Sequence, residues 1–297
     1  MGVKYLILGK TGYIAQSFIQ ACEERGLDYV AISRSAINYL DPGKFLNFLS
    51  INTNCGLSLK NCKIINCAGY IGKPNVDACE SNKADTIAGN VVLPSSIASI
   101  CRDRGLTYIH ISSGCIYNGY SKNFREDDVP NFTFDTGSFY SGSKALAEQV
   151  VLQNNPRSYV FRLRVPFDES PSPRNYITKL LSYDRLLDVR NSFSHRRDFV
   201  NACLDIVDCK APTGIYNLTN PGSLTTKEVV DMLKEYIKPA KDFSFYSDEA
   251  TFMQDVKAPR SSCVLDVSKA LEYTKLRNVR CAFEDALIKY GVSCEGT

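Results

Sequence analysis

Tyr140 and Lys144 are four residues apart, a spacing that places two side chains on one face of a helix, about one turn from each other. A free tyrosine has a pKa of about 10, which is too high for efficient proton transfer near neutral pH. A neighbouring ammonium group stabilises the phenolate and lowers that value. With Ser113 at the end of an earlier strand to hydrogen-bond a carbonyl oxygen, the three residues could protonate that oxygen while a nicotinamide delivers hydride to its carbon. The spacing alone also occurs on helices by chance.

Cys115 follows Ser113 by two residues and suggests a second reaction in the same pocket. The alternative is one more buried thiol, because the chain has twelve cysteines and free cysteine often packs as a small hydrophobic residue. The cysteines are irregularly spaced without a C-x-x-C motif, and the chain has two histidines. We therefore predict reduced thiols, no metal site and no Ser-His-Asp triad.

The bulk composition is that of an ordinary globular protein, with 44% hydrophobic and 23% charged residues in a chain of 297. A net charge of +3 is too small to favour a nucleic-acid partner. We find no apolar run near the roughly 20 residues of a membrane span. The first residues, which have no charged region or cleavage site, predict a strand rather than a signal peptide. We therefore expect a cytoplasmic protein without membrane contacts.

A glycine-rich loop follows the first predicted strand and opens the first predicted helix. In that context it is typical of a dinucleotide site, because Gly9 permits a tight turn and Gly12 lets the backbone approach a pyrophosphate at the helix N-terminus. The alternative is a glycine-rich turn without a ligand. The loop residues that we predict to bind the cofactor are Gly9, Lys10, Thr11, Gly12, Tyr13 and Ile14.

Ser33 and Arg34 stand at the end of the second strand, where an acidic residue would bind the ribose hydroxyls of NAD. A guanidinium there, together with Lys10, favours a 2′-phosphate, so we predict NADP(H). A merely solvated Arg34 is the alternative. Beyond the third strand, and in the helix after it, four further residues are candidates for the cofactor site: Asn66, Ala68, Gly69 and Asn90. Asn90 could instead brace the sheet or lie on a helix surface.

Short β-rich runs alternate with helical patterns through the first two-thirds of the chain, which predicts a parallel sheet with crossover helices. Predicted strands lie at 4–8, 29–33, 63–68, 107–112 and 159–165, and predicted helices at 14–25, 85–103 and about 140–152. The later part predicts helices at 176–183, 225–236 and 283–290 and a strand at 214–218. We predict a doubly wound α/β fold of the Rossmann type. Residues 1–165 would form the cofactor domain and 166–297 a smaller substrate lobe, with a strand near 214–219 returning to the main sheet.

Several sequence motifs resemble those of the extended short-chain dehydrogenase/reductase superfamily, in its branch of dTDP-4-dehydrorhamnose reductases. The resemblance is strongest to plant-type bifunctional UDP-4-keto-6-deoxyglucose 3,5-epimerase/4-reductases of UDP-L-rhamnose synthesis. The motifs that carry it include G-K-T-G at 9–12, P-R-N-Y-I-T-K at 173–179 and the segments 72–77, 79–81, 114–116, 137–141, 214–222 and 258–261. The resemblance therefore spans nearly the whole chain.

This resemblance implies that Ser113, Tyr140 and Lys144 are the reductase residues, and that Cys115 and Lys179 form an epimerase pair. Lys179 could instead be a surface lysine or a diphosphate contact. The implied product is UDP- or dTDP-L-rhamnose, and a separate 4,6-dehydratase would supply the substrate. A homodimer is a further expectation. Candidate substrate-binding residues, each also a possible loop-bracing residue, are Lys73, Asn75, Arg174, Asn175 and Arg260.

Two other functions stay open at this point. One is a 4-reductase that acts after a separate epimerase. The other is a non-catalytic NADP-binding regulatory subunit, resembling that of methionine adenosyltransferase. The intact set of Ser113, Tyr140 and Lys144 argues against the second.

Overall fold

The computed structural model of the chain describes residues 4–54 and 62–295, and the side chains of 4–51 and 62–291. Its strands, in chain order, are β1 (Tyr5–Leu8), β2 (Tyr29–Ile32), β3 (Lys63–Asn66), β4 (Thr107–Ser113), β5 (Gly119–Phe124), β6 (Tyr159–Leu163), β7 (Pro166–Phe167), β8 (Arg185–Leu186), β9 (Arg190–Asn191), β10 (Ser194–His195), β11 (Gly214–Asn217), β12 (Leu224–Thr225), β13 (Ser244–Phe245) and β14 (Cys263–Leu265). Its helices are α1 (Tyr13–Glu24), α2 (Pro42–Asn54), α3 (Asp77–Ser81), α4 (Lys83–Ile87), α5 (Leu93–Arg104), α6 (Phe139–Asn154), α7 (Tyr176–Ser182), α8 (Arg196–Asp208), α9 (Thr226–Tyr236), α10 (Glu249–Met253), α11 (Ser268–Leu271) and α12 (Val279–Glu295), with a π-helical turn at Ala88–Val92.

The central sheet of the described residues has six parallel strands in the order β11-β6-β4-β3-β1-β2. β1 pairs with β2 on one side and with β3 on the other, so the strand order reverses between β1 and β3. In open parallel sheets, ligands bind outside the carboxyl ends of the strands at such a reversal. The predicted doubly wound fold is therefore confirmed, and its binding crevice lies where the glycine-rich loop follows β1.

Both faces of the sheet are covered, which explains why its strands are nearly continuous apolar runs. Tyr5 and Ile7 of β1 pack in a cluster with α1 and α8, whereas Leu6 and Leu8 pack in a second cluster with α2 and α5. Alternate side chains of a strand point to opposite faces, so one short strand contributes to both layers. This double burial fixes the end of β1 relative to the strands on either side.

The predicted helix over 85–103 is divided in the structure. It consists of α4, the π-helical turn and α5, with a separate short helix, α3, before them. Pro94 lies in the first turn of α5, where a residue without a backbone N–H is tolerated. The π-helical turn holds Asn90 buried, and such turns are frequent at functional sites. A continuous hydrophobic pattern did not reveal this interruption. Helix α2 also has no counterpart among the predicted elements.

Two elements from beyond residue 165 belong to the main sheet layer. β11 pairs in parallel with β6 at the sheet edge, and α8 packs against α1 in the same apolar cluster. The rest of the later chain builds a separate cluster around Phe167, Phe193 and Phe283, where the rings of Phe167 and Phe283 stack with centroids 3.8 Å apart. The division at residue 165 stays a prediction. Within the described residues, no helix is both long and apolar enough to cross a bilayer.

Candidate active site

Helix α6 carries two of the predicted catalytic residues, and its first turn is firmly held. The Ser138 side chain caps the helix by accepting a hydrogen bond from the Ser141 backbone N–H at 3.1 Å. The Phe139 N–H donates to a carboxylate oxygen of Glu80 at 2.7 Å. These contacts fix the start of α6, and with it the position of Tyr140.

Lys144 lies one turn after Tyr140, and its side chain is almost entirely removed from water, with 7% of the residue exposed. Its ammonium donates to the backbone carbonyl of Ile111 on β4 at 2.9 Å. Burial lowers the pKa of Lys144 to about 8, although Glu148 and Cys115 act to raise it. The Lys144 side chain therefore extends from α6 towards the sheet, where β4 holds its ammonium.

Burial also raises the pKa of the Tyr140 phenol above its usual range, and the neighbouring Cys115 acts in the same direction. A hydrogen bond with Ser113 opposes this shift. Ser113 is buried at the end of β4, and its hydroxyl accepts a hydrogen bond from the Cys115 N–H at 3.2 Å. The structure thus places Ser113 and Tyr140 in contact, with Cys115 beside them.

Lys179 lies on α7, whose N-terminus is capped by Asn175. Burial lowers the pKa of the Lys179 ammonium, Arg174 acts in the same direction, and Cys115 opposes both. The positive charge of Arg260 also lowers the pKa of Lys179. Cys115 therefore lies within electrostatic reach of Tyr140, Lys144 and Lys179, so α6, α7 and the loop after β4 bring these four residues to one place.

The glycine-rich loop has the close packing expected of a pyrophosphate cradle. Gly9 has a φ of +86°, and a Cβ there would lie 3.0 Å from the backbone nitrogen of Ala68. The Gly12 N–H donates to the Gly9 carbonyl at 2.7 Å, and Gly12 is the N-cap of α1. The free N–H groups of the first turn of α1 face the crevice at the end of β1, a position suited to an anionic group. The residues present fit a dinucleotide.

The other predicted cofactor residues, in this loop and at the end of β2, differ in their contacts and exposure. Tyr13 donates its hydroxyl proton to Asp168 at 2.8 Å, and its ring lies 3.7 Å from the Arg196 guanidinium carbon. Arg34 is exposed, and Ser33 shares a hydrogen bond with Ser35 at 2.8 Å. Lys10 and Thr11 are exposed as well, whereas Ile14 is partly buried against the core. Recognition of a 2′-phosphate by Lys10 and Arg34 stays a prediction.

Two asparagines predicted to bind the cofactor hold the loops around it. Asn66 donates to the Tyr108 hydroxyl at 3.1 Å and accepts from the Ala68 N–H at 3.0 Å. Asn90 is bound to both backbone groups of Tyr70 at 2.7 and 2.8 Å. It also donates to the Ser143 hydroxyl on α6 at 3.0 Å.

A Cβ at Gly69 would lie 3.1 Å from the Asn90 amide oxygen. Asn90 therefore ties the loop after β3 to the helix that carries Tyr140. Direct contact of Asn66, Ala68, Gly69 or Asn90 with a cofactor stays a prediction.

Most of the predicted substrate-binding residues form bonds that hold loops, whereas Lys73 is exposed. Asn75 accepts a hydrogen bond from the Asp77 N–H at 2.8 Å, and Arg260 forms an ion pair with Asp77 at 2.8 Å. Arg174 donates to the Gly72 carbonyl at 3.3 Å, and Lys73 is exposed. The bonds of Arg174 and Arg260 connect the 72–77 loop to the segment before α7 and to the 258–260 segment.

Asn175 is fully buried, and its amide group donates to Asp168 and Ser170 while its oxygen caps α7. This residue therefore braces the loop before α7. The amide chemistry of an asparagine suits both a sugar hydroxyl and a helix cap, so the sequence could not separate the two roles.

Arg164 is a residue of the site that our sequence reasoning missed. It follows β6, is completely buried, and donates to the Gly114 carbonyl at 3.2 Å in the loop that carries Cys115. A signal was available, because an arginine within the apolar run Leu163–Val165 is unusual for a strand end buried on both faces.

Comparison with known proteins gives concordant results. A family model described as RmlD substrate binding domain matches residues 3–290. The chain is 34% identical to the bifunctional dTDP-4-dehydrorhamnose 3,5-epimerase/dTDP-4-dehydrorhamnose reductase of Arabidopsis thaliana, over 96% of this chain and 91% of that protein. The crystal structure of a UDP-rhamnose synthase from Acanthamoeba polyphaga mimivirus is similar with a TM-score of 0.85 at 24% identity, covering 97% of this chain and 100% of that one. The dTDP-4-dehydrorhamnose reductase of Bacillus anthracis, in complex with NADP, has a TM-score of 0.80 at 15% identity, covering 99% and 100%.

Proposed function

The chain belongs to the RmlD substrate binding domain family, and from this membership we propose that it reduces the C4 ketone of a nucleotide-linked 4-keto-6-deoxyhexose with NADPH. The product would be UDP- or dTDP-L-rhamnose. The observation that carries the proposal is the grouping of Ser113, Tyr140 and Lys144 at the carboxyl end of the sheet. The activities named for the Arabidopsis relative and the mimivirus structure support it.

The cofactor site would be formed by the loop after β1, whose N–H groups suit the pyrophosphate, with Lys10 and Arg34 near the 2′-phosphate. NADP bound to the similar reductase of Bacillus anthracis supports this assignment. When bound, NADPH supplies the hydride that adds to C4.

The protein's own residues handle the carbonyl oxygen. Ser113 hydrogen-bonds that oxygen and polarises the C4 carbonyl. Tyr140 transfers its phenol proton to the oxygen as negative charge develops there. Lys144, held against β4, stabilises the phenolate that remains. Ser113 and Lys144 are buried and Tyr140 is half-buried, which strengthens their electrostatic interactions because little water reaches them.

We further propose that the same site epimerises C3 and C5 before reduction. A C4 ketone acidifies the protons on both neighbouring carbons, and inversion needs a base on one face and an acid on the other. Cys115 and Lys179 would take these two roles around an enolate held by Ser113 and Tyr140. The electrostatic contact of Cys115 with Lys179, and the epimerase activity named for the Arabidopsis relative, support this step.

Substrate binding would fall to Lys73, Arg174 and Arg260, whose cationic groups suit a diphosphate, on a loop framework held by Asn75 and Asn175. A reaction that removes water across C5 and C6 and oxidises C4 of a nucleotide hexose must supply the substrate, which is the chemistry of a 4,6-dehydratase. The grouped side chains favour an enzyme over a non-catalytic NADP-binding subunit, in which they would have no task.

Incubation with UDP- and dTDP-4-keto-6-deoxyglucose in D2O, without NADPH, tests the epimerase step. We expect deuterium at C3 and C5, and loss of that exchange in Cys115→Ala. The wild type could instead show no exchange but still oxidise NADPH with a supplied 4-keto-L-rhamnose nucleotide. That result would contradict the epimerase step and identify the protein as a 4-reductase only.

Replacing Tyr140 with Phe tests the reductase step on the same 4-keto-L-rhamnose nucleotide. We expect NADPH oxidation to fall by about 10²-fold or more, because the proton donor is lost. Tyr29→Phe, which removes a hydroxyl bound to Glu23 at the amino end of β2, is the matched control and should retain activity. Unchanged oxidation in Tyr140→Phe contradicts the mechanism, and no oxidation by the wild type with either nucleotide favours a binding subunit.

A further inference from the structure

Arg164 is a buried charge without an ordinary counterion. The residue has 0% exposure, and no carboxylate of the described side chains forms an ion pair with it. The two other deeply buried arginines differ in this respect, since Arg162 is paired with Glu148 and Arg196 with Asp168. Burying a guanidinium without an anion is costly, so its neighbours indicate what it serves.

The hydrogen-bond acceptors around the Arg164 guanidinium are neutral oxygens and one sulfur, and the buried thiol of Cys263, also within reach of its charge, donates to the Gly114 carbonyl. Asn191 accepts through its amide oxygen, and Ser261 accepts through its carbonyl at 2.7 Å and its hydroxyl at 2.9 Å. The same terminal nitrogen that reaches the Gly114 carbonyl also lies 3.6 Å from the Cys115 sulfur. Among these partners Cys115 has the one side chain that can become an anion.

Exposure to the site also distinguishes Arg164 from Cys115. Arg164 is sealed behind the loop after β4 and cannot reach a bound substrate, whereas Cys115 is partly exposed to the site. A positive charge fixed behind a thiol favours its ionised form, because the thiolate gains a charge-assisted hydrogen bond. Gly114 allows this approach, since a Cβ at that position would lie 3.6 Å from the Arg164 Cβ and 2.6 Å from a methyl carbon of Leu265.

We propose that Arg164 is a positioning residue that holds Cys115 as a thiolate, so that Cys115 is the base and Lys179 the acid of epimerisation. The assignment rests on the proposed epimerase function. The thiolate takes a proton from C3 or C5, and the C–H electron pair forms the enolate double bond while charge moves to the C4 oxygen. The Lys179 ammonium then returns a proton to the opposite face. The step leaves Cys115 protonated and Lys179 neutral, and exchange with water restores both.

The surroundings of Lys179 agree with its role as the acid. Burial and the neighbouring Arg174 lower its pKa, so the ammonium gives up its proton more readily than an exposed lysine does.

Alkylation by iodoacetamide, followed at each cysteine by peptide mass spectrometry, measures the thiolate without any substrate. The exposed Cys209 and Cys281 are internal references in the same molecule. In the wild type at about pH 6 we expect Cys115 to react at least about tenfold faster than Cys281. This comparison needs no variant, and equal rates and equal pH profiles for the two cysteines would overturn the proposal.

Variants of Arg164 test the cause of the reactivity. Arg164→Met should slow alkylation of Cys115 at least about tenfold while Cys281 is unaffected, and Arg164→Lys, which keeps the charge, should restore part of the rate. Circular dichroism and the thermal transition establish that each variant is folded. A Cys115 rate that is unchanged in folded Arg164→Met, relative to Cys281, contradicts the proposal. If Arg164→Met does not fold, the alkylation rate of Cys115 relative to Cys281 in the wild type and in Arg164→Lys tests the proposal.

Deuterium exchange at C3 and C5 separates the two possible failures. Exchange together with ordinary Cys115 reactivity overturns the role of Arg164 and leaves the epimerase proposal intact. Reactivity that depends on Arg164 without exchange overturns the epimerase, and the assignment of base and acid with it.

Discussion

The Lys144 ammonium combines a functional position with a pKa of about 8, near the physiological range. Burial is the largest cause of that shift, and it also removes water that would otherwise screen the charge from Tyr140. The protonated lysine is the form that stabilises the phenolate. If Lys144 has the proposed role, its protonation state sets the working pH range of the reduction.

We predict that kcat/KM for NADPH-dependent reduction falls as the pH rises through about 8, because Lys144 then loses its proton. The fall should approach about tenfold per pH unit above that value. Initial rates of NADPH oxidation between about pH 6 and pH 10 measure this. A rate that increases through pH 8 would show that neutral Lys144 is the active form.

The grouping of the residues proposed for the reductase step could be predicted from the sequence because their geometry is local. Tyr140 and Lys144 share one helix, and Ser113 ends a strand. Arg164 could not be assigned in this way, since its meaning depends on Asn191 and Ser261, which are distant in the chain and make no motif with it.

Elements determine how closely the cofactor loop can approach the sheet. Gly9 follows β1 with a positive φ, and its α-carbon faces the backbone after β3. The sequence indicated this turn correctly, because a strand, two glycines and a helix occur in order. The π-helical turn that places Asn90 was not foreseen, because apolar periodicity does not distinguish a π turn from an α-helix.

Gly9→Ala should reduce both stability and affinity for NADPH. A Cβ at this position would lie 3.0 Å from the Ala68 nitrogen, in addition to the strain of a positive φ. We expect a loss of about 1–3 kcal/mol in the free energy of unfolding. Urea denaturation and fluorescence titration with NADPH measure the two effects.

Gly26→Ala is the matched control for this change. Its φ is +60°, but a Cβ there meets nothing within 4 Å, so strain acts alone. NADPH affinity should be unchanged in that variant. Equal losses of affinity in the two variants would contradict the close approach at Gly9.

At the scale of the molecule, a partly buried charge network joins α8 to the chain before α12. Asp198 accepts hydrogen bonds from Arg277 at 3.0 and 3.1 Å and from Asn220 at 2.7 Å. Although burial acts to raise the pKa of Asp198, His195 and Arg277 hold it at about 2. An unfolded aspartate titrates near 4, so the native state binds its proton less readily than the unfolded state.

A depressed carboxyl pKa contributes stability above about pH 4 that is lost as the pH falls towards 2. We expect Asp198→Asn to lower the free energy of unfolding by about 2 kcal/mol at neutral pH, and to flatten its decline in acid. Urea denaturation at several pH values measures both. The exposed Asp242→Asn is the control, and an equal acid decline in wild type and Asp198→Asn would contradict the assignment.

The family and the fold class are confirmed, and both could be predicted because their motifs extend over nearly the whole chain. The placement of later elements was harder to foresee. α8 lies beyond the predicted domain boundary yet packs on α1, and the sequence has no local signal for such a long-range contact.

The order in which the chain is synthesised has a consequence for the thiol at Cys115. Arg164 lies 49 residues after Cys115, and Ser261 lies 97 residues after Arg164. A ribosome adds about 5–20 residues each second, so the guanidinium can meet the sulfur several seconds before Ser261 exists. β14 adds its own contact with β5 still later. A chain that stops before residue 261 therefore lacks the Ser261 oxygens that fix the Arg164 guanidinium, so the proposed partner of Cys115 is held in place only when synthesis is nearly complete.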